Sequence, residues 1–228
     1  KTIYTYGYTV PSGDGTGTIT LSIGTDLVGN VVTSTPTSGV TFNVDNTAPT
    51  ITGVSLASNN TTIAVTFSEA VYNTNSGSGS LEVGDFEFSL NGGNATLSST
   101  TPSSIDIVGN VYTLGISLSG TPNGSETLTV NPVSSSIYDA EGNVASTSQS
   151  NNTISLYDQL APTITGVVLA GNNTTIAVTF NEAVYNSNSG SGSLEVGDFE
   201  FSLSGGNATL SSTTPSSISI SGNEYTLG

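Results

Sequence analysis

The sequence predicts an all-β protein built from tandem β-sandwich repeats. Two observations carry that prediction: one long segment recurs almost unchanged, and short runs of apolar and polar residues alternate along the chain. Residues 48–115 and 161–228 lie 113 positions apart and agree at 60 of 68 positions. Alternation with a period of two residues is typical of strands with one buried face, and no run shows the period of a helix.

The alternation also predicts which side chains of each strand are buried. Ile63, Val65 and Phe67 share one parity and are expected in the core. The run 81–90 changes parity at Gly84-Asp85, which predicts a bulge or a short turn. Turn-forming clusters separate the runs. This number and spacing of strands in about 110 residues indicates an immunoglobulin-like Greek-key β-sandwich, repeated in a linear array.

The end of the repeat contains a further pair of short strands. Ile105 and Ile107 are expected to point inward, followed by Tyr112 and Leu114. The positions that differ between the two copies should then lie mostly on the exposed face, where substitutions are tolerated. The differing pairs are Ser55/Val168, Ser58/Gly171, Ser68/Asn181, Thr74/Ser187, Asn91/Ser204, Asp106/Ser219, Val108/Ser221 and Val111/Glu224.

Residues 1–46 read as a diverged copy of the second half of the repeat. The segment 26–30 aligns with 139–143, and Asp45 aligns with Asp158. The two halves at the ends of the chain together make about one repeat, which suggests a piece of a longer array; strand exchange between neighbouring chains is the alternative. The predicted domains are the C-terminal half of one repeat (1–46), a complete repeat (47–159) and the N-terminal half of a nearly identical repeat (160–228).

The charge balance excludes several classes of function. The chain has 17 acidic residues and one basic residue, Lys1, and its formal net charge is −16. Nucleic-acid binding depends on Lys and Arg, and an anionic membrane surface would repel this chain. There is no His and no Cys, so nucleophilic catalysis lacks its usual groups. A glycosidase-like carboxylate pair stays formally open, but no apolar cleft accompanies one, and we expect no enzyme.

Three carboxylates that are distant in sequence are expected to converge at one end of the complete sandwich. Asp45 lies in the linker, Glu69 follows the second strand, and Asp139 lies in the loop before the last strand. With Asn143 they could supply oxygen ligands to calcium, which takes about 6–8. Asp158 and Glu182 would serve the next junction, and Asp26 a preceding one. The alternative is that all of these are ordinary turn formers.

The motifs DNTAPTIT, VTFSEAVYN, GDFEFSL and IYDAEGNVA, in this order and spacing, resemble the bacterial Ig-like repeats of giant cell-surface adhesins. The resemblance covers the whole chain. It implies a secreted protein with tandem domains, and calcium at the domain junctions. The expected partners are neighbouring repeats of the same chain and identical chains in a filament or bundle, without membrane insertion.

Composition and resemblance together predict a structural role. We expect a segment of an extracellular stalk or filament that holds a distal binding region away from the cell. The alternative is an Ig-like module that itself recognises a glycan or a partner protein. Tyr4, Tyr6 and Tyr8 alternate near the start of the chain, and they suit either a sugar-stacking strip or a core-facing strand.

Overall fold

The chain is all-β, as the alternation predicts. The structure, a computed structural model, describes residues 3, 5–10, 12–32 and 39–228. Over these residues it has antiparallel strands in several small sheets and no α-helix. No helical segment of the described part could therefore span a membrane. The chain divides into two compact units, Lys1–Gln159 and Leu160–Gly228. The assignment of its parts to three successive repeats stays a prediction.

The first unit contains eleven strands among its described residues and one 3₁₀ turn at Val83–Asp85. A short antiparallel pair, β1 and β2, precedes the larger body that begins at β3. The strands are β1 (Gly15–Thr18), β2 (Thr41–Val44), β3 (Ile51–Leu56), β4 (Thr62–Phe67), β5 (Phe86–Asn91), β6 (Thr96–Leu97), β7 (Ile105–Val108), β8 (Val111–Gly115), β9 (Leu118–Ser119), β10 (Thr127–Pro132) and β11 (Thr153–Ser155).

Two sheets of this body share one apolar core. One sheet has the order β3-β4-β8-β7, and the other has the order β11-β10-β5. Three aromatic rings from both sheets meet in the core: the ring centroids of Phe67 and Tyr112 are 5.6 Å apart in an edge-on arrangement, and Phe86 lies 6.0 Å from Tyr112. Such aromatic pairs stabilise a core beyond the area they bury. Burial raises the pKa of the Tyr112 hydroxyl, which donates to the main-chain oxygen of Val71.

The parity predictions hold for most strands. Ile63, Val65 and Phe67 are all buried in β4. The parity change in the run 81–90 is the 3₁₀ turn, after which Phe86 starts β5. Ile107 departs from the prediction, because its side chain is 40% exposed. Its strand, β7, lies at the edge of its sheet, so its inward-facing side chains have a neighbouring strand on one side only.

The prediction for the differing positions is confirmed. In the first copy seven of the eight are exposed, and Val111 is half-buried. All eight of their counterparts in the second copy are exposed. Substitution between the copies is therefore confined to positions where the core does not constrain the side chain.

The second unit repeats the first four-stranded sheet. Its order is β12-β13-β15-β14, and its pairings correspond to those of β3, β4, β8 and β7, which have one further pair, Thr62↔Gly115. A bulge near the start of β12 matches the one near the start of β3. The elements are β12 (Ile164–Leu169), β13 (Ile176–Phe180), a 3₁₀ turn at Val196–Asp198, β14 (Ile218–Ser221) and β15 (Glu224–Leu227).

The start of the chain departs from the strand prediction. Residues 5–10 form no strand, and the side chains of Tyr6 and Tyr8 are 87% and 81% exposed. Tyr4 lies outside the described residues. The core-facing interpretation of Tyr6 and Tyr8 is therefore wrong in this structure.

A buried carboxylate connects two loops of the first unit. Glu126 is fully buried, and its Oε1 accepts the backbone N–H groups of Asn94 and Ala95 at 2.7 and 2.9 Å. The N–H of Asn123 donates to the same carboxylate. Burial raises the pKa of Glu126, but the donors, Ala95 first among them, outweigh it, so the pKa lies below its ordinary value. Gly93 is required here, because a Cβ would overlap the Glu126 side chain.

We predict that Glu126→Ala lowers the free energy of unfolding by about 3 kcal/mol, because the N–H groups of Asn94, Ala95 and Asn123 lose a charged acceptor. Urea unfolding measures this, and Glu87→Ala, at an exposed position of β5, should change it by less than about 0.5 kcal/mol. Because the folded-state pKa is lowered, the contribution of Glu126 is present above the unfolded pKa and is lost as the pH falls through the folded pKa. Equal losses in the two variants would contradict the role assigned to the buried carboxylate.

Candidate functional site

The loop between β10 and β11 is shaped by the side chain of Asp139. Its Oδ1 accepts the N–H groups of Glu141 and Asn143 at 3.0 and 2.7 Å, and its Oδ2 accepts from the Asn143 side-chain amide at 2.7 Å. Gly142 takes a φ of 94°, which a residue with a Cβ rarely adopts. Asp139 is fully buried, and its carboxylate is held in a fixed position.

The same loop occurs at residues 26–30. Asp26 Oδ1 accepts the N–H groups of Val28 and Asn30 at 3.0 and 2.8 Å, and Oδ2 accepts from the Asn30 side chain at 2.7 Å. Gly29 has a φ of 90°. The hydrogen bonds match those of Asp139, so the aligned segments share a conformation. These bonds, from Asn30 first, lower the pKa of Asp26.

Asp45, Glu69 and Asp139 come together as predicted. One carboxylate oxygen from each lies within 4.8 Å of the others. Asp45 follows β2, Glu69 follows β4, and Asp139 precedes β11, so three separate segments supply the cluster. We call this cluster, at the end of the sandwich where residues 45–50 lie, the linker triad.

The linker triad is attached to the preceding segment through Asp14. The carboxylate of Asp14 accepts the N–H of Asn46 at 2.7 Å and the hydroxyl of Thr47, and it contacts the carboxyl group of Asp45. The Asn46 bond is the main reason that the pKa of Asp14 is lowered. On the other side, the Asn143 side chain donates to the main-chain oxygen of Asp45 at 3.1 Å. The linker is therefore hydrogen-bonded on both sides.

Glu69 is the member of the linker triad whose negative charge is destabilised, because its pKa is raised. Burial is the largest cause that raises its pKa, and the negative charges of Asp139, Asp45 and Glu141 raise it further. A hydrogen bond from the Ser68 hydroxyl at 3.5 Å is long and offsets little of this. The triad therefore favours a proton or a cation beside Glu69.

The donor chemistry and spacing fit a calcium ion. Calcium is bound by oxygens at 2.3–2.6 Å, so two ligands on opposite sides of the ion are about 5 Å apart. The spacing within the linker triad satisfies this limit. A carboxylate has about four acceptor positions, and Asp139 uses three of them in its own loop. One position of Asp139 therefore stays open to an ion.

The other predicted site residues have different surroundings. Asn143 presents its amide nitrogen to Asp45 and Asp139, so in this orientation it positions the triad, and its role as an oxygen ligand stays a prediction. Asp158 lies beside Gly124 in the first unit. Glu182, in the second unit, accepts from the Asn181 side chain at 3.1 Å. Asp26 is exposed in its own loop, apart from the linker triad.

Sequence reasoning missed Asp14, Glu141 and Glu126. Asp14 follows Ser12-Gly13, a turn signal that aligns with the loop 120–124. In that loop the main-chain oxygen of Pro122 accepts the N–H of Gln159, which lies beside the segment that aligns with the linker. That correspondence could have placed Asp14 beside a linker. Glu126 had no signal, because a single glutamate before a strand is usually exposed.

No family model matches the chain, and neither a curated protein nor a solved structure matches it.

We predict that Glu69→Gln stabilises the chain in chelator at neutral pH by roughly 0.5–1 kcal/mol, the size of a partly exposed charge interaction. A carboxyl group whose folded-state pKa is raised destabilises the fold above that pKa, and the penalty disappears as the pH falls towards the unfolded pKa. The stabilising effect of the substitution should therefore shrink on acidification. Urea unfolding at a series of pH values in EDTA measures it, and a pH-independent difference would contradict the charge argument.

Proposed function

We propose that this chain is a structural segment of an extracellular stalk or filament, in which immunoglobulin-like sandwiches are joined end to end and calcium stiffens the joints. The observation that carries the proposal is the linker triad, because it brings the linker and two loops of the sandwich into one cluster of acids. The proposal assigns no reaction to the chain.

The strand order supports an immunoglobulin-like arrangement. If β3, β4, β5, β7, β8, β10 and β11 are read as strands A to G, the two sheets have the orders A-B-E-D and G-F-C. A constant-type immunoglobulin domain has two sheets made of the same two sets of strands, which supports the proposal. The short pair β6 and β9 is additional.

The distribution of substitutions supports a spacer. A spacer needs length and stiffness, whereas a recognition module needs loops that differ in the residues they present. The loops 73–80 and 186–193 differ at one position only, Thr74/Ser187. Their hydroxyl groups make the same contacts in both copies: Thr74 lies 3.0 Å from Ser76, and Ser187 lies 3.0 Å from Ser189.

The proposed role of calcium follows from electrostatics. Asp14 and Asp45 belong to the segment before the sandwich or to the linker, whereas Glu69 and Asp139 belong to the sandwich. Without a cation these like charges repel one another across the joint. A bound calcium ion would convert the repulsion into attraction and fix the linker. Because the site is partly exposed, we expect an affinity of about 10⁻⁴–10⁻³ M.

Recognition of a glycan is the second candidate function. It is favoured by one observation: Tyr6 and Tyr8 are exposed and could stack on sugar rings. Specific, saturable binding on a glycan array that is lost in Tyr6→Ala/Tyr8→Ala would rank recognition above the spacer role. Binding to no glycan is the result expected of a spacer.

We predict that 10 mM calcium stabilises the first unit by about 1.4–2.7 kcal/mol relative to EDTA, as mass action requires at this affinity. Thermal unfolding measures this shift, and small-angle scattering should show longer particles with a narrower length distribution. Asp45→Ser should abolish both effects while the sandwich stays folded, because Ser retains an oxygen that can cap the Thr47 N–H now bound by Asp45.

The matched control is Asp106→Ser, which removes an exposed acid and introduces the residue that the second copy carries at Ser219. The control should respond to calcium like the unmodified chain. If calcium changes neither the melting temperature nor the length distribution of the unmodified chain, the carboxylates are turn formers only.

A further inference from the structure

The sequence contains two Asn-Gly pairs, Asn91-Gly92 and Asn123-Gly124, and both lie in the first unit. An asparagine that precedes glycine is prone to lose its side-chain amide, because glycine has no Cβ to keep its main-chain nitrogen away from that amide. The reaction also requires that the side chain and the following N–H are free to meet. The two pairs differ in this respect, so the fold should direct the reaction to one of them.

The first pair, Asn91-Gly92, is accessible. Asn91 is the last residue of β5, and it is followed by Gly92 and Gly93 with φ values of 81° and 62°. Asn91 and Gly92 are both exposed. Among the residues that the structure describes, the Asn91 side-chain amide has no hydrogen-bond partner, and neither has the N–H of Gly92. Nothing in the folded chain therefore holds the amide carbon away from the glycine nitrogen.

The second pair, Asn123-Gly124, is restrained. Asn123 is half-buried, and its side-chain oxygen accepts the N–H of Ser125 at 3.1 Å. Its own N–H donates to the buried carboxylate of Glu126, at 3.2 Å from Oε1 and 3.1 Å from Oε2. The side chain must leave the bond to Ser125 before its amide carbon can approach the Gly124 nitrogen. This requirement raises the barrier to reaction at Asn123 relative to Asn91.

We propose that Asn91 is a site of spontaneous deamidation in the folded chain, with water as the co-reactant. The Gly92 nitrogen gives its proton to a solvent base and forms a bond to Cγ of Asn91. The bond between Cγ and Nδ2 then breaks, and the nitrogen leaves as ammonia with a proton from solvent. Water opens the resulting cyclic imide. Cleavage at Cγ leaves aspartate, and cleavage at the main-chain carbonyl leaves isoaspartate, so the whole reaction exchanges an amide for a carboxylate without electron transfer.

The isoaspartate product should weaken the loop that binds Glu126. Its main chain runs through Cβ and Cγ of residue 91, which inserts one extra carbon between β5 and the N–H groups of Asn94 and Ala95. Those N–H groups donate to Glu126 at 2.7 and 2.9 Å. Gly93, between them and β5, lies so close to the Glu126 side chain that a Cβ would overlap it. The loop has no room for a longer backbone, so the modification should destabilise the first unit.

The second copy supplies a matched control for this site. It carries Ser204 at the position of Asn91, followed by Gly205 and Gly206 with φ values of 80° and 69°. A serine side chain has no carbonyl carbon for the next main-chain nitrogen to attack. Asn91→Ser therefore removes the reactive amide and introduces a residue that the chain already uses before the same two glycines.

The test is incubation of the 228-residue chain at physiological temperature and mildly alkaline pH, followed by digestion in acid with a glutamate-specific protease. Cleavage after Glu87 and Glu126 gives one fragment, 88–126, that contains both Asn-Gly pairs. Tandem mass spectrometry then measures the exchange of amide for carboxylate at each. In the folded chain we expect Asn91 to react about ten times faster than Asn123, since one hydrogen bond changes a barrier by that order. In guanidinium chloride the two rates should be nearly equal.

Two results would overturn the proposal: no reaction at Asn91 in the folded chain, or a ratio of the two rates that is no higher in the folded than in the denatured chain. During the same incubation the urea midpoint of the unmodified chain should fall, whereas that of Asn91→Ser should not. Equal falls in both would contradict the effect assigned to the Glu126 loop. None of these measurements depends on calcium or on a stalk, so the proposed function is tested separately.

Discussion

The carboxylates of this chain must be stabilised almost without basic side chains, and much of the local structure follows from that constraint. Seventeen acids face a single lysine. The two fully buried acids therefore use backbone amides: Glu126 accepts N–H groups from two loops, and Asp139 accepts two within its own loop. Hydrogen bonds to a charged acceptor are stronger than neutral ones and offset part of the cost of burial. The N–H groups of these loops thus stabilise the buried carboxylates, as an arginine side chain does in other proteins.

Glu69 shows what happens where amides are lacking. Its hydrogen bond to Ser68 is long, and three other acids surround it. The fold concentrates this unbalanced charge at the linker, because the linker, the loop after β4 and the loop before β11 all lie at one end of the sandwich. Exposed acids elsewhere in the chain are stabilised by the surrounding water. The proposed cation binding and the proposed stiffening of the linker would therefore act at the same place, because the strand topology brings the linker and the two loops together.

Alternation in the sequence predicted the sheet interior because burial in a strand repeats every second residue, as Ile63, Val65 and Phe67 show. The same reasoning placed Asp45, Glu69 and Asp139 at one end, because the two loops and the linker that carry them were expected there. It failed for Ile107, where the position of a strand within its sheet decides exposure. Alternation also could not predict the hydrogen bonds of Asp14 and Glu126. These bonds depend on which backbone N–H groups point towards a side chain, and that direction cannot be read from the types of the residues.

A comparison of the two copies shows what a segment needs in order to form a strand. Residues 86–91 and 199–204 differ only at Asn91/Ser204, yet the first segment is β5 and the second forms no strand. Pairing with β10 accounts for the difference, because a strand in this position needs a neighbour to satisfy its backbone groups. By contrast, β12 to β15 form without that neighbour, since they pair among themselves. The four-stranded sheet therefore forms from its own strands, whereas β5 forms as a strand only where β10 pairs with it.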